Sequence, residues 1–377
     1  MLYIFWLSIL VPAYAVIGYP ITLSLFSLFY KKSNYIKQAN LPLSIIIAAH
    51  NEEKNIKDKI LSILNQTYQT EHLQIIIASD GSTDETAAIA QAFHDQRITV
   101  LDLPRAGKTS TLNTAIDHAK NDIVVFTDAD NQWEANTLEQ LLVPFSSADV
   151  GACAGQMIIP RTGQSLSIGD SIYRHYESWI RSTENQTGCT VSADGALLAL
   201  RKELFEPIPL DVNDDFFLST CAPIRGKKII YVENAKVTDE GVDEADKQYR
   251  RRIRVTVGGL RSLAARRELL NPFKYKLYAI ALISHKLIRR LSPLFLIPLF
   301  ISNFFIKDIN TFYNVIFYLQ VISYSMAIAG ILDTQGRLPK IFRVAGYILI
   351  TVIGMTVGCW QFLTGKKYSL WNPQQNR

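Results

Sequence analysis

The chain has 377 residues, of which 48% are hydrophobic and 19% charged, against about 25% charged in an ordinary soluble domain. Its 39 Lys and Arg exceed its 34 Asp and Glu for a net charge of +5, and the charge is unevenly spread: residues 1–30 carry none, and 291–306, 311–332 and 344–364 almost none. This excludes a disordered chain, a fibrous repeat and a simple cytosolic enzyme, and leaves a globular unit tied to a membrane at both ends.

Residues 1–30 are expected to form an N-terminal transmembrane helix. Ala13-Tyr14-Ala15 offers a small-x-small cleavage site, but no basic segment precedes the apolar run, which continues to Tyr30 as in an uncleaved anchor. Lys31, Lys32 and Lys37 follow it. A second basic group runs from Lys247, Arg250, Arg251, Arg252 and Arg254 through Arg261, Arg266 and Arg267 to Lys286, Arg289 and Arg290. Lys and Arg beside membrane spans mark the cytoplasmic side, so residues 31–270 are expected as a cytoplasmic domain of an integral plasma-membrane protein. The positive charge abuts apolar spans and forms no stripe on a soluble face, so nucleic acid is not an expected partner.

Within that domain, residues 43–49 (LSIIIAA) form a continuous apolar run bounded by Pro42 and Asn51-Glu52, the pattern of a strand buried on both faces. A helix follows at about 52–65, with Ile56, Ile60, Ile63 and Leu64 at helical spacing. The cycle repeats as strand 73–78, helix 84–94, strand 98–103, helix 108–119 and strand 122–127. This alternation predicts an α/β fold, a mostly parallel sheet with helices on both faces. Ligands of such sheets sit beyond the carboxyl ends of the strands.

Four polar groups directly follow the four apolar runs: His50-Asn51-Glu52-Glu53, Ser79-Asp80-Gly81-Ser82-Thr83-Asp84, Arg105-Ala106-Gly107-Lys108 and Thr127-Asp128-Ala129-Asp130. Together they suit an anionic ligand carrying a divalent metal. Asp128 and Asp130, two apart in extended backbone, point the same way and could share Mg2+ or Mn2+; alone, such a pair is also a common solvated turn or helix cap. Lys108 opens a helix, where free N–H groups favour phosphate, although a lysine there also serves simply as a solvated first-turn residue. Gly107-Lys108-Thr109 ends a P-loop pattern as well, yet position 102, where that pattern needs glycine, is Asp102. Asp80 could accept hydrogen bonds from a base or ribose, whereas Asp84 with Glu85 reads as a helix cap.

Further on, Asn213-Asp214-Asp215 precedes an apolar stretch. One of these acids could be a general base; neighbouring residues diverge, so only one of the pair is expected to face the site. Arginines in Gln248-Tyr249-Arg250-Arg251-Arg252 could clamp a diphosphate or rest on anionic lipid. Residues 271–290 read as an interfacial amphipathic helix, 291–365 as three transmembrane helices and 366–377 as a polar tail. Cys153, Cys189, Cys221 and Cys359 form no CxxC pair and are expected as reduced, buried thiols. The sequons at Asn65 and Asn185 are expected to be fortuitous.

Taken in order, AAHNEE, SDGSTDET, GKTSTLN, TDAD, DGALLALRKELF and NDDFF resemble the membrane-integrated family 2 glycosyltransferases, the group of hyaluronan, chitooligosaccharide and poly-N-acetylglucosamine synthases. His285-Lys286 with Arg289 and Pro293, and the tail Lys366-Lys367-Tyr368…Trp371…Arg377, resemble that family's membrane-proximal pieces. The resemblance implies a GT-A nucleotide-diphospho-sugar transferase fold. It places Asp80 at the uridine, Lys108 at the diphosphate, Asp128 and Asp130 at the donor and its metal, Glu52 near the nucleotide, and Asp215 as catalytic base. Gln248 and Arg251 match two positions of the family's QxxRW motif; Arg252 stands where processive members have the tryptophan that helps hold the acceptor sugar.

The implied function is inverting transfer of a sugar from a nucleotide-diphosphate donor, expected as a UDP-sugar, to a glycan or lipid-linked acceptor in polysaccharide synthesis, with membrane lipid and a second copy or synthase subunits as partners. Two alternatives stay open: a non-catalytic partner subunit of a synthase, and a P-loop-like ATPase using Lys108 and Asp130.

Overall fold

The computed structural model describes the chain except residues 31–34, 37–39, 69, 160–164, 194, 240–244, 334, 336 and 367–377, and the side chains of 165–168, 170 and 245. Lys31, Lys32, Lys37, Asp194 and the tail residues Lys367, Tyr368, Trp371 and Arg377 therefore lie outside the described residues.

Among the described residues, eight strands form one mixed sheet in the order β3-β2-β1-β4-β7-β6-β8-β5. The strands are β1 (Leu43–Ala49), β2 (Leu73–Asp80), β3 (Ile98–Leu103), β4 (Ile123–Asp128), β5 (Gln132–Trp133), β6 (Val150–Ile158), β7 (Leu198–Arg201) and β8 (Lys228–Thr238). Strands β3, β2, β1 and β4 run parallel, as the alternation predicts; β7 pairs antiparallel with β4 and β6, and β6 is parallel to β8. The sheet's second half has no comparable sequence signal, because β6 (VGACAGQMI) is rich in small residues and β7 is four residues long.

Every residue of β1 is buried, and its alternate side chains serve two cores. Ile45 and Ile47 join Ile75, Ile77 and Val125 on one face under α2 (Ile56–Leu64) and α5 (Thr137–Leu142). Ile46 and Ala48 join Ile76, Val124 and Phe126 on the other, under α4 (Lys108–Asp117) and α7 (Asp214–Ile224). Each fully buried isoleucine contributes roughly 1.5–3 kcal/mol of transfer free energy, which fixes the register of these strands. In that register Ala48 lies opposite both Ala78 and Asp128, and Asp80 opposite Leu103, so the polar groups leave the sheet at one edge. Between β2 and β3 lies the short α3 (Thr86–Gln91).

Two long helices join the domain to the apolar segments: α6 (Ser165–Thr187) and α8 (Ala245–Ala265). Among the described residues, four helical segments are long and apolar enough to cross a membrane: α1 (Leu2–Ser27), α9 (Pro272–Ile306), α10 (Thr311–Leu332) and α11 (Lys340–Leu363). One helical run, α9, thus carries both the expected interfacial helix at 271–290 and the short span expected at 291–306. It is kinked at Lys276, which adopts φ 48° and ψ −125°. Tyr19 and Leu23 of α1, Leu282 of α9, Cys359 of α11 and Phe216 of α7 share one apolar cluster, so these long apolar segments pack directly behind the acids Asp214 and Asp215. All four cysteines are free and buried.

Candidate active site

The loop after β2 is built around Asp80. This carboxylate is fully buried, accepts from the Ala106 N–H (2.7 Å) and the Gly107 N–H (3.0 Å), and pairs with the Arg105 guanidinium. Gly81 (φ 57°) permits the close approach, since a Cβ there would stand 2.7 Å from the Arg105 nitrogen. The backbone donors a P-loop would offer to phosphate are thus taken by Asp80, which removes the P-loop reading of Gly107-Lys108-Thr109. Glu52 is buried behind the edge: its N–H donates to the Thr86 hydroxyl (2.8 Å), and its carboxylate accepts from Asn55 (2.7 Å).

Gly107 (φ 90°) turns the chain into α4 and directs Lys108 across the sheet edge. Its ammonium lies 2.6 Å from Asp128 Oδ1 and 2.8 Å from Asp214 Oδ2. Asp214 and Asp215 occupy the first turn of α7, where the helix dipole favours negative charge. Asp215 accepts from the Phe216 N–H (2.7 Å). A Cβ on Gly195 would be 3.6 Å from Asp128 Oδ2 and 3.7 Å from Asp215 Oδ2, so this glycine leaves room between the two acids. The expectation that only one acid of the pair faces the site is corrected: at a helix start Asp214 turns to Lys108 while Asp215 turns to Gly195.

Asp128 ends β4, but Asp130 lies in the following turn and not in extended backbone. The turn is held from below by Lys59, a fully buried lysine that donates to the Thr127 hydroxyl (2.8 Å) and Asn131 Oδ1 (2.6 Å) and lies over the Trp133 ring. Burial pulls the Lys59 pKa down to about 7, against the opposing pull of Asp128 and Asp130. The Thr127 hydroxyl donates to the Ala196 carbonyl (2.7 Å), fixing the turn against Gly195.

Burial raises the Asp128 pKa against the pull of Lys108, with the charges of Asp130 and Asp214 adding to the rise. Burial also acts to raise Asp214, but the Lys108 ammonium more than offsets it, so that carboxyl is held low. Asp239, just past β8, is pushed up to about 7 by burial and by Asp130, while Arg251 and Arg174 act the other way. This concentration of negative charge on hard oxygen donors fits a divalent cation. Among the described residues no three or more His, Cys, Asp or Glu side chains are grouped to enclose a metal, so diphosphate and water oxygens would complete the shell.

Gln248 is buried on α8, away from these acids by its hydrogen bonds. Its amide oxygen accepts from Arg252 (3.1 and 3.2 Å) and from the Tyr347 hydroxyl (3.3 Å). Arg252 itself donates to Tyr347 on α11 and lies over the Tyr173 ring of α6 (4.6 Å). The residue at the tryptophan position therefore ties three helices together. Arg251, on another face, acts electrostatically on Asp239.

The structure thus joins Lys108, Asp128 and Asp215 with Asp214, the other acid of the pair the sequence offered, and adds Gly195, Lys59, Asp239 and Arg254, which the sequence did not single out as site residues. Arg254 was signalled by the basic run. Lys59, inside an amphipathic helix, gave no signal.

Residues 44–206 match the profile of the family described as glycosyl transferase family 2. The chain is 36% identical over 98 residues to the Escherichia coli UDP-Glc:alpha-D-GlcNAc-diphosphoundecaprenol beta-1,3-glucosyltransferase WfgD, which covers 26% of this chain and 38% of that protein. It is 27% identical over 174 residues to a poly-beta-1,6-N-acetyl-D-glucosamine synthase of Staphylococcus epidermidis, covering 44% of this chain and 41% of that one. The chain therefore spans well under half the length of these two curated relatives. Among solved structures it resembles the mannosyltransferase PcManGT from Pyrobaculum calidifontis, in complex with GDP-Man and Mn2+, with a TM-score of 0.72 at 20% identity over 97% of this chain and 100% of that one. That likeness is one of fold, the GT-A arrangement the sequence motifs imply.

Proposed function

With a glycosyl transferase family 2 domain over residues 44–206 as premise, we propose that the protein is a membrane-anchored, inverting glycosyltransferase. It moves a sugar from a nucleotide-diphosphate donor to a glycan or lipid-linked acceptor, with its domain on the cytoplasmic side. The observation that carries this reading is the ion-paired cluster at the sheet edge, where Lys108 bridges Asp128 and Asp214 beside Asp215. The named activities of WfgD and the S. epidermidis synthase, and the GDP-Man and Mn2+ of PcManGT, support a nucleotide-sugar donor and a divalent cation.

Asp215 takes the proton of the acceptor hydroxyl as that oxygen attacks the anomeric carbon, and attack opposite the leaving group inverts configuration. Lys108 and Arg251 stabilise the charge that develops on the departing diphosphate. Asp128 and Asp130 would hold Mg2+ or Mn2+, which when bound supplies further positive charge to that leaving group. Asp80, fixed by the 105–107 loop, borders the nucleoside side of the edge, and Glu52 braces the neighbouring loop. Gln248 acts through Arg252 and Tyr347 and keeps α8 in place.

The reading is tested by incubating membranes containing the protein with labelled UDP- and GDP-sugars and Mg2+ or Mn2+, then sizing the product. Asp130→Ala and Asp215→Asn should each abolish transfer, with losses of about a hundredfold or more, while the proteins stay folded. Wild-type transfer by Asp215→Asn would remove that residue from the mechanism.

A further inference from the structure

We infer that the acceptor is a membrane lipid bearing a phosphate, held by Arg254 and Arg290 between the base Asp215 and the membrane segments; this rests on the glycosyltransferase reading. Arg254 of α8 has no hydrogen-bond or ion-pair partner among the described residues, and its Nε is wholly buried. The charges that bear on it are those of Asp214, Asp215 and Asp128. A guanidinium beside three acids yet bonded to none keeps its forked donors for a ligand, and the planar fork matches a phosphate. Its Nε is desolvated without a partner, which is unfavourable, while the rest of the part-buried guanidinium stays open to an anion that would complete this site.

Arg254 and Gly258 are four apart and share a face of α8. A Cβ on Gly258 would stand 2.0 Å from Asn213 Oδ1, so that face lies directly on the segment carrying Asp214 and Asp215. The next residue, Gly259, makes the same allowance for Arg290: a Cβ there would be 2.5 Å from its Nε and Nη2. The Arg290 guanidinium lies over the ring of Phe216, the residue after the base, and its Nη1 donates to the Lys286 carbonyl (3.1 Å). No acid pairs with Arg290 or Lys286 among the described residues.

Neighbouring basic side chains at this junction have carboxylate partners. Arg289 pairs with Glu177 (2.5 Å), Arg266 with Glu206 (2.6 Å), and His285 lies between Glu177 (3.2 Å) and Glu184 (2.6 Å). The contrast marks Arg254, Arg290 and Lys286 as a path of positive charge that no carboxylate pairs among the described residues. It starts on α9, a segment long and apolar enough to cross a membrane, and ends beside Asp215. A neutral glycan needs no such path; a lipid entering from α9 with phosphate at headgroup level does. The donor's diphosphate belongs at the Lys108 and Asp128 side of the cluster.

Two phosphate-bearing lipids share this chemistry: a polyprenyl phosphate, and a sugar linked to a polyprenyl diphosphate. In both, an acceptor oxygen bonds to the anomeric carbon while the bond from that carbon to the donor diphosphate breaks, its electron pair leaving with the diphosphate. A sugar hydroxyl passes its proton to Asp215; an ionised phosphate has none to pass.

The test uses the full chain in nanodiscs, the donor found in the sugar-nucleotide panel, and three acceptors: polyprenyl phosphate, a polyprenyl-diphosphate sugar, and a neutral alkyl glycoside of the same sugar. One of the two phosphate lipids should be used with kcat/KM about tenfold or more above the glycoside. Arg254→Ala and Arg290→Ala should raise the acceptor KM about tenfold or more and the donor KM much less, with partial recovery in Arg254→Lys. Equal use of the neutral glycoside, or a rise confined to the donor KM, would overturn the inference and leave the glycosyltransferase reading standing. Absence of donor binding, donor hydrolysis and transfer to every acceptor would overturn both. The wild-type acceptor comparison decides the matter even where an alanine variant fails to fold.

Discussion

The Lys108 ammonium sits 2.8 Å from Asp214, on the helix that also carries the proposed base. Because the same ammonium is 2.6 Å from Asp128, one cation joins the end of β4 to the start of α7. Lys108→Met would leave both acids facing each other without a counter-charge. It should destabilise the fold by about 2 kcal/mol or more, the partial exposure of all three groups keeping the figure below that of a wholly buried pair. Adding Asp214→Asn should restore most of the melting temperature and none of the transfer activity. A double variant as unstable as Lys108→Met would show that the bridge does not couple these residues.

Gly258→Ala tests the close approach of α8 to the base. The added methyl would collide with Asn213 Oδ1 and must displace either α8 or the Asn213–Asp215 segment. Overpacking of this kind costs about 1–3 kcal/mol. Transfer should fall more steeply than stability, because the displaced segment carries Asp215. Thermal unfolding measured alongside initial rates checks the ratio.

Arg252→Trp would install the aromatic residue of processive relatives. Here it removes the bonds to Tyr347 and Gln248 and the stacking over Tyr173. The expected result is a lower melting temperature and no lengthening of the product. Longer product chains from this variant would show that position 252 faces the acceptor after all. Tyr347→Phe, which deletes only a hydroxyl, should cost about 1 kcal/mol.

The Asp239 carboxyl, ordinarily near 3.8, is pushed up to about 7 by burial and by Asp130. The folded chain therefore holds this proton more tightly than the unfolded chain. The stabilising contribution is full below a pH of about 3.8 and is lost as the pH rises through about 7. In ligand-free protein, Asp239→Asn should raise the melting temperature at a pH of about 8 and change it little at a pH of about 4. Equal shifts at both values would assign the effect to packing instead of charge.

Much of the fold and part of the site could be read from the sequence, for identifiable reasons. LSIIIAA, QIIIAS and IVVFT announce buried parallel strands because only a strand covered on both faces tolerates so continuous an apolar run. The same rule places Asp80, Lys108 and Asp128 at one edge. Strands β5 to β8 were not legible, since short or small-residue strands take their conformation from pairing with neighbours and not from their own composition.

The sequence by itself determined the apolar ends, the order of the motifs, and which acids could serve a metal and a base. Only the tertiary structure decided what each charged group faces. It turned Asp214 as well as Asp215 inward, enclosed Asp80 in its own loop, buried Lys59 beneath the aspartate turn, and bound Arg252 to Tyr347. It left Arg254 without a partner among the described residues. The reason is physical: a charged side chain is placed by the nearest counter-charge and by loss of water, and both come from residues distant along the chain.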